Sequence, residues 1–164
     1  MRSPEPAAAP SPAPEALPAS GPNRHIPFLA HLGLVRERVG GGEAVFTLDL
    51  RPELLNNHGA GHGGVVMTLL DAAMANAALS RIDFAREVVT IDLHVAFMRP
   101  AAGRLRCVGR ATGGGRSVCY CEAELSDAGG TVLAKAMGTF RYRAPAGPGA
   151  VDAAASPPPD GAPR

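Results

Sequence analysis

Residues 56–71 read NNHGAGHGGVVMTLLD, and the interpretation of the whole chain starts from this stretch. It begins as a polar loop rich in glycine and continues into a long apolar segment that contains the carboxylate of Asp71. A glycine-rich loop that opens a helix leaves backbone N–H groups unpaired at the positive end of the helix dipole. A carboxylate inside an apolar helix is costly unless it is paired or used. The stretch therefore predicts an anion-binding helix end together with an acid–base group.

The predicted helix covers residues 62–79. Its apolar residues occupy several faces, which is typical of a buried helix; they are Val65, Val66, Leu69, Leu70, Ala73, Ala77 and Ala78. Upstream, residues 27–33 favour a short helical turn, and residues 34–38 and 43–50 favour two strands joined by a turn of three glycines.

After the helix the apolar period changes to two, which indicates a half-buried strand. The alternating apolar residues are Val89, Ile91, Leu93, Val95 and Phe97. Further strands are expected at 104–111, 116–125 and 131–143, separated by glycine-containing turns. The order β-β-α-β-β-β-β with short late links predicts an α+β fold, in which one antiparallel sheet wraps around one long central helix.

The two ends of the chain differ from its middle in composition. Residues 1–23 and 144–164 are rich in Pro and Ala, so they are expected to be disordered tails around a single domain at 24–143. The net charge of +1, from 16 basic and 15 acidic side chains, argues against nucleic acid and membrane partners. We see no secretory signal and no apolar run of membrane-spanning length. Because the three cysteines lack disulfide-framework spacing, the expected location is the cytoplasm.

Helix geometry separates the two halves of the predicted site. His62 and Asp71 are nine residues apart, which places them about 180° apart around the axis and about 13 Å apart along it. The two residues cannot both reach one carbonyl from the same helix. If they serve one site, a second copy of the chain must supply one of them, so the spacing predicts a two-fold homo-oligomer.

The pattern of Asn56, Gly59, His62-Gly63-Gly64 and Asp71, with this element order, resembles the hotdog-fold acyl-CoA thioesterases of the phenylacetate-pathway type. The resemblance covers about residues 24–143 and includes TIDL at 90–93 and AKAMGTF at 134–140. It implies a hotdog fold, hydrolysis of an acyl- or aryl-CoA to a free acid and CoA, and dimers that often pair into homotetramers.

The resemblance also implies a role for each matching residue. Asn56 and His62 would position substrate and water, and the Gly63 backbone N–H would polarise the thioester carbonyl. Asp71 would act as general base or nucleophile, with Thr90 assisting the water. A preorganised N–H donor stabilises the oxyanion by ~3 kcal/mol, and because a thiolate leaves readily, the scheme needs no metal or organic cofactor.

Structural roles are the alternatives for these residues. Asp71 could be a structural carboxylate satisfied by Thr68 or by a neighbouring chain. Asn56 could be a turn residue with a locally bonded side chain. Gly63 and Gly64 could serve close packing of the helix against the sheet, which does not exclude an oxyanion role.

Other polar residues give weaker signals. His58 and His62 could bind a metal with Asp71, but the glycines between the histidines argue against it. Arg116 could bind the CoA phosphates. Three further arginines alternate along one strand, and this pattern favours a solvated strand face over a basic patch for the CoA phosphates; they are Arg104, Arg106 and Arg110. Cys119 and Cys121 point to one side of a strand and are interpreted as packing residues.

Two other functions remain open. A non-catalytic acyl-CoA-binding module would keep the glycine loop without needing the carboxylate, so the presence of Asp71 argues against it. A hotdog hydratase or dehydratase would need a histidine paired with an acidic residue across the site, in a different local pattern.

Overall fold

The structure is a computed structural model, and it describes residues 25–145. The tails expected at 1–23 and 144–164 therefore lie almost wholly outside the described residues. The elements are α1 (Pro27–Leu32), β1 (Val35–Gly40), β2 (Glu43–Asp49), a short 3-10 helix (Pro52–Leu54), α2 (Gly63–Ser80), β3 (Glu87–Phe97), β4 (Arg104–Gly114), β5 (Val118–Asp127) and β6 (Val132–Arg143).

The six strands form one antiparallel sheet in the order β1-β2-β4-β5-β6-β3. The sheet curls around α2, which packs against every strand. This arrangement confirms the predicted α+β hotdog fold. Strand β3 follows the helix in sequence but lies at the far edge of the sheet, where β6 is its one neighbour among the strands of residues 25–145.

Helix α2 is the centre of the hydrophobic core. Leu69, Leu70 and Met74 on this helix are fully buried, and Phe140 faces them from β6. The helix and the sheet lie close together at Gly109, where an added Cβ would lie 2.4 Å from the Ala73 carbonyl carbon. Close helix–sheet packing therefore depends on Gly109 more than on the glycines that open α2.

The length and apolarity of α2 require one correction to the sequence analysis. The helix has 18 residues and a mean hydropathy of 1.3, which is long and apolar enough to cross a membrane by length and composition alone. In this fold 61% of the helix is buried, because the sheet surrounds it. Such a segment is equally typical of the core helix of a globular domain.

Strand β3 departs from the predicted alternation. Its register with β6 shifts between Thr90 and Asp92, so that Ile91 is the extra residue of a β-bulge. A bulge of one residue moves the following side chains to the opposite face. The residues packed on the core are therefore Val88 before the bulge and Leu93 and Val95 after it. The prediction that Val89 and Ile91 share the inner face is wrong, and both are exposed.

The cysteines of β5 occupy the inner face of the sheet. Cys119 and Cys121 are both buried, with their Sγ atoms 3.7 Å apart. Burial raises the pKa of the Cys121 thiol well above its ordinary value. Their surroundings fit the interpretation as packing residues.

Candidate active site

The glycine-rich loop is held in place by backbone contacts at both ends. The Gly61 N–H donates to Ala101 O at 2.8 Å, and the His62 N–H donates to Leu54 O at 2.8 Å. A Cβ on Gly61 would lie 2.9 Å from Leu50 Cδ1, so glycine allows the loop to approach this close. These contacts set the point at which α2 begins.

His62 caps the N-terminus of α2. Its Nδ1 accepts a hydrogen bond from the Gly64 N–H at 3.0 Å. The N–H groups of Val65 and Val66 donate to the His62 carbonyl at 2.9 and 3.2 Å. The Gly63 N–H has no acceptor within residues 25–145. Of the N–H groups in the first turn, this one is left to bind an anion from outside.

The unpaired N–H lies at a cavity of about 480 Å³, here called the loop cavity. It is bounded by the loop, the start of α2 and the end of β3; its lining includes Asn56, Gly63, Val66, Phe97, Met98 and Leu133. Phe97 and Met98 were not predicted as site residues. Their position directly before the Arg99-Pro100 strand break was the available signal, because a strand that stops beside a loop contributes to its surface.

Asn56 closes the turn of the glycine-rich loop. Its Oδ1 accepts hydrogen bonds from the His58 N–H at 2.9 Å and the Ala60 N–H at 3.2 Å, which closes the turn. Its Nδ2 donates to no other group in the described part of the chain, and the residue lines the loop cavity. These hydrogen bonds fit the turn interpretation, and a role of Asn56 in positioning substrate stays a prediction.

Asp71 and Thr90 form the second half of the candidate site. The Thr90 Oγ1 donates to Asp71 Oδ1 at 2.8 Å. Burial raises the pKa of the Asp71 carboxyl above its ordinary value, and the Thr90 hydrogen bond acts in the opposite direction. Thr68 is not the partner, because its hydroxyl donates to Gly64 O at 2.9 Å.

The two halves do not meet within one chain. Gly63 and Asp71 are eight residues apart on α2, a rise of about 12 Å. Neither Asp71 nor Thr90 lines the loop cavity. The structure thus brings Asn56 and Gly63 to one cavity, brings Thr90 to Asp71, and keeps these groups apart.

An apolar surface accompanies the open edge of the sheet. On β3 and just after it, four apolar side chains are 39–55% exposed: Val89, Ile91, Phe97 and Met98. Met67 on α2 is also exposed. An unpaired edge strand with exposed apolar side chains is typical of a surface that another chain covers.

The arginines considered in the sequence analysis differ in their surroundings. Arg104 contacts Glu37 at 3.4 Å and Asp49 at 3.3 Å, and Arg110 contacts Glu43 at 3.1 Å, as expected of a solvated strand face. Arg116 lies exposed between β4 and β5, away from the loop cavity, and its carbonyl accepts from Arg86. A role of Arg116 in binding the CoA phosphates remains a prediction.

No group of three metal-binding side chains occurs in the part of the chain that the structure describes. His58 is exposed, and the Nδ1 atom of His62 is already used by the helix cap.

Known proteins are similar to this chain in sequence and in fold. The profile of the thioesterase superfamily matches residues 58–134. A candidate esterase of Halobacterium salinarum is 35% identical over 126 residues, which cover 70% of this chain and 83% of that protein. The structure of a conserved protein of Pseudomonas aeruginosa is similar with a TM-score of 0.70 at 32% identity, covering 73% of this chain and 95% of the other.

A second solved structure is named for a metabolic process. It is a variant of the phenylacetic acid degradation protein PaaI of Thermus thermophilus, with a TM-score of 0.65 at 27% identity. The similarity covers 71% of this chain and 98% of that protein.

Proposed function

This chain belongs to the thioesterase superfamily, and we propose that it hydrolyses the thioester of an acyl- or aryl-CoA to a free acid and CoA. The observation that carries the proposal is the unpaired Gly63 N–H at the start of α2, in the same chain as the Asp71–Thr90 pair. Attack on a thioester carbonyl creates an oxyanion, which the N–H would stabilise. The proposal includes the cytoplasm as the location, with no nucleic acid or membrane partner.

Asp71 supplies the base or the nucleophile in this scheme. Partial burial raises the pKa of its carboxyl, which makes the carboxylate a stronger base toward water. The Thr90 hydroxyl donates a hydrogen bond to Oδ1 of the Asp71 carboxylate. The other carboxylate oxygen can then face a water molecule or the carbonyl carbon. The thiolate of CoA then leaves as the carbonyl re-forms. If Asp71 is the nucleophile, water afterwards hydrolyses the acyl–Asp71 anhydride, which releases the acid and restores the carboxylate.

The complete site requires two copies of the chain. Gly63 of one copy would meet Asp71 and Thr90 of the other, which gives two sites in a two-fold dimer. The exposed apolar edge of β3 supports such an interface. A dimer of dimers would keep these two sites in each dimer.

Substitution of Gly63 tests the oxyanion role. Gly63 is the first residue of α2, a position that favours proline, and His62 before it has φ −59° and ψ 137°, in the polyproline II region. Gly63→Pro therefore removes the N–H and keeps the helix start. We expect kcat to fall about 100-fold to 1,000-fold. Gly63→Ala is the control, because it keeps the N–H and its Cβ would meet only the Phe97 ring at 3.7 Å. Equal kcat values for the two variants would contradict the proposal.

A hybrid dimer tests whether the site is shared. One chain carries Gly63→Pro and the other Asp71→Asn, and the hybrid is purified through two different affinity tags. If the sites are shared, one site carries both substitutions and the other is intact, so the hybrid recovers about half of the wild-type activity. An inactive hybrid would place both groups of each site in one chain.

Thiol release across a panel of acyl-CoA thioesters separates this function from the two alternatives. Release of free CoA supports hydrolysis. Binding without release would indicate a non-catalytic acyl-CoA-binding module, and a change in the unsaturation of the acyl chain would indicate a hydratase or dehydratase.

A further inference from the structure

We propose that His62 is a positioning residue that acts through the helix cap: its neutral ring holds the backbone that presents the Gly63 N–H, and protonation of the ring releases that backbone and slows the reaction. This inference rests on the proposed thioester hydrolysis and deepens it, because it gives the same site a pH-sensitive element. It differs from the role that the resemblance implies for His62, in which the residue positions substrate and water directly.

The hydrogen bond at the cap requires one protonation state of the ring. The Gly64 N–H donates to His62 Nδ1 at 3.0 Å, so Nδ1 carries a lone pair and the proton of the neutral ring lies on Nε2. A second proton would occupy Nδ1 and would face the Gly64 N–H, so that two donors oppose each other. Ser, Thr and Asn, which are common N-cap residues, do not titrate where histidine changes its charge. A histidine cap therefore acts only while its ring is neutral.

The start of α2 depends on this hydrogen bond because two glycines follow each other there. Gly63 and Gly64 lack the Cβ that restricts the backbone of other residues. Before them, the His62 N–H is fixed by Leu54 O at 2.8 Å, and after them the Val65 N–H donates to the His62 carbonyl at 2.9 Å. Between these two contacts, the His62 ring is the acceptor that the described part of the chain offers to the Gly64 N–H. A donor that is no longer held in place stabilises an oxyanion less.

A protonated ring would also place a positive charge at the positive end of the helix dipole, where a cation is unfavourable. None of the ion pairs between residues 25–145 involves His62. The neighbouring elements carry three other charged or titratable side chains, each with its own surroundings: Glu53 pairs with Arg51, Arg99 donates to Val132 O, and His58 lines the loop cavity. The described residues therefore supply no carboxylate that would balance the charge.

The ring can exchange protons with solvent because His62 is exposed. A histidine side chain changes its charge between about pH 5 and 8, so acidification through this range converts the cap from an acceptor into a donor. Asp71 is the other titrating group, since the shared site would bring the carboxylate of the second copy to Gly63. Loss of the ionised base and loss of the cap both slow the reaction in acid, and substitution of His62 removes only the second effect.

Steady-state kinetics of His62 variants from pH 5 to 8 test the inference. His62→Ala removes the acceptor at every pH, and we expect kcat at pH 8 to fall about tenfold with little change in KM, because the misplaced donor acts in the transition state. His62→Asn supplies an oxygen acceptor that does not titrate, and it should recover most of this loss. Between pH 8 and 5, kcat of the wild type should then decrease by about tenfold more than kcat of His62→Asn. His94→Asn, at an exposed position of β3, is the matched control and should keep the wild-type profile.

Three kinetic results would overturn the inference. If His62→Asn is as slow as His62→Ala at pH 8, the imidazole acts on the substrate itself and not through the cap. If the wild type and His62→Asn lose activity equally in acid, protonation of His62 does not affect the site. If His62→Ala keeps the wild-type kcat, the cap does not position the Gly63 N–H.

NMR of the wild-type protein provides a readout that needs no substrate. The ¹⁵N shifts of the His62 imidazole report which nitrogen carries the proton, and the Gly64 amide shift reports its hydrogen bond; we expect an unprotonated Nδ1 at pH 8 and a joint change of both signals in acid. A proton on Nδ1 at pH 8 would show that the inference is wrong. If the cap titrates as expected and the enzyme releases no thiol from any acyl-CoA, the proposed function is wrong and the assignment of the cap stands.

Discussion

The Thr90 hydroxyl donates a 2.8 Å hydrogen bond to the carboxylate of Asp71, and so joins the edge strand β3 to the central helix. The contact depends on the bulge at Ile91, which lets Thr90 face the helix on one side of the bulge and Leu93 face it on the other. Thr90 therefore orients the carboxylate and lowers its pKa against the effect of burial.

Thr90→Val should raise the pKa of Asp71, because it removes the hydrogen bond and leaves the desolvation in place. If Asp71 acts as an ionised base, the acid limb of the kcat/KM profile then moves to higher pH. Thr90→Ser keeps the hydroxyl and should restore the wild-type profile. Steady-state kinetics from pH 4 to 9 would measure the limb, and an identical limb in the Val and Ser variants would show that Thr90 does not act on the carboxylate.

Asp71→Asn should abolish turnover and preserve binding of CoA, because the amide has nearly the shape of the carboxylate but cannot accept a proton from water. Thiol release measures turnover, and isothermal titration with CoA measures binding. Hydrolysis at the wild-type rate would exclude Asp71 as base or nucleophile.

The same substitution should stabilise the fold at neutral pH. Burial raises the folded-state pKa of Asp71, so its ionised form opposes folding once the pH exceeds the unfolded-state pKa. Asp71→Asn should therefore raise Tm at pH 7, and the gain should shrink as the pH falls through the folded-state pKa toward the ordinary range of an aspartate. Thermal unfolding across this pH range is the measurement.

Asp127 provides a control of opposite sign. Its pKa is lowered, chiefly by hydrogen bonds from the backbone of Thr131 and from nearby glycines. A lowered pKa stabilises the fold above the unfolded-state value and loses that effect as the pH falls through the folded-state pKa. Asp127→Asn should lower Tm at pH 7. If both variants changed Tm in the same direction, the assignment of signs would be wrong.

His62→Ala should destabilise the protein by about 1 kcal/mol, the usual loss for an N-cap side chain, because the Gly64 N–H loses its acceptor. His62→Asn retains an oxygen acceptor at the cap and should keep the wild-type stability. Urea unfolding would compare the two variants. Equal stabilities would show that the imidazole does not act as a cap.

Gly109→Ala should destabilise the fold by about 1–3 kcal/mol or more, as expected for an overpacked core. The added Cβ would lie 2.4 Å from the carbonyl carbon of Ala73, so the helix would have to move off β4. Gly40→Ala is the matched control, because no atom lies within 4 Å of its Cβ position. A small loss at both positions would mean that α2 can shift freely against the sheet.

The sequence predicted the elements well and their faces less well. The central helix was expected at 62–79 and spans Gly63–Ser80, and all six strands occur in the expected order. Apolar periodicity is a local property of the sequence, so it predicts an element even when the partner strand is unknown. The period of β3 was misassigned because a bulge depends on the register with β6, which is set by residues almost 50 positions away.

The part of the candidate site that depends on local sequence was predictable. Asp71 stood out because a carboxylate in an apolar helix needs an explanation, and the glycine-rich loop marked the helix start. The resemblance to known thioesterases suggested Thr90. The resemblance also suggested the Gly63 N–H, but which N–H groups of the first turn find an acceptor depends on the groups that the folded loop brings near each donor.

The sequence by itself determined the long apolar helix, the loop that opens it and the separation of His62 from Asp71, since 3.6 residues per turn is a property of the backbone. Only the tertiary structure decided that Thr90 meets Asp71 and that β3 lies at an open edge of the sheet. These relationships join residues distant in the chain, and they exist only when strand register, the bulge and the close approach at Gly109 are combined in one fold.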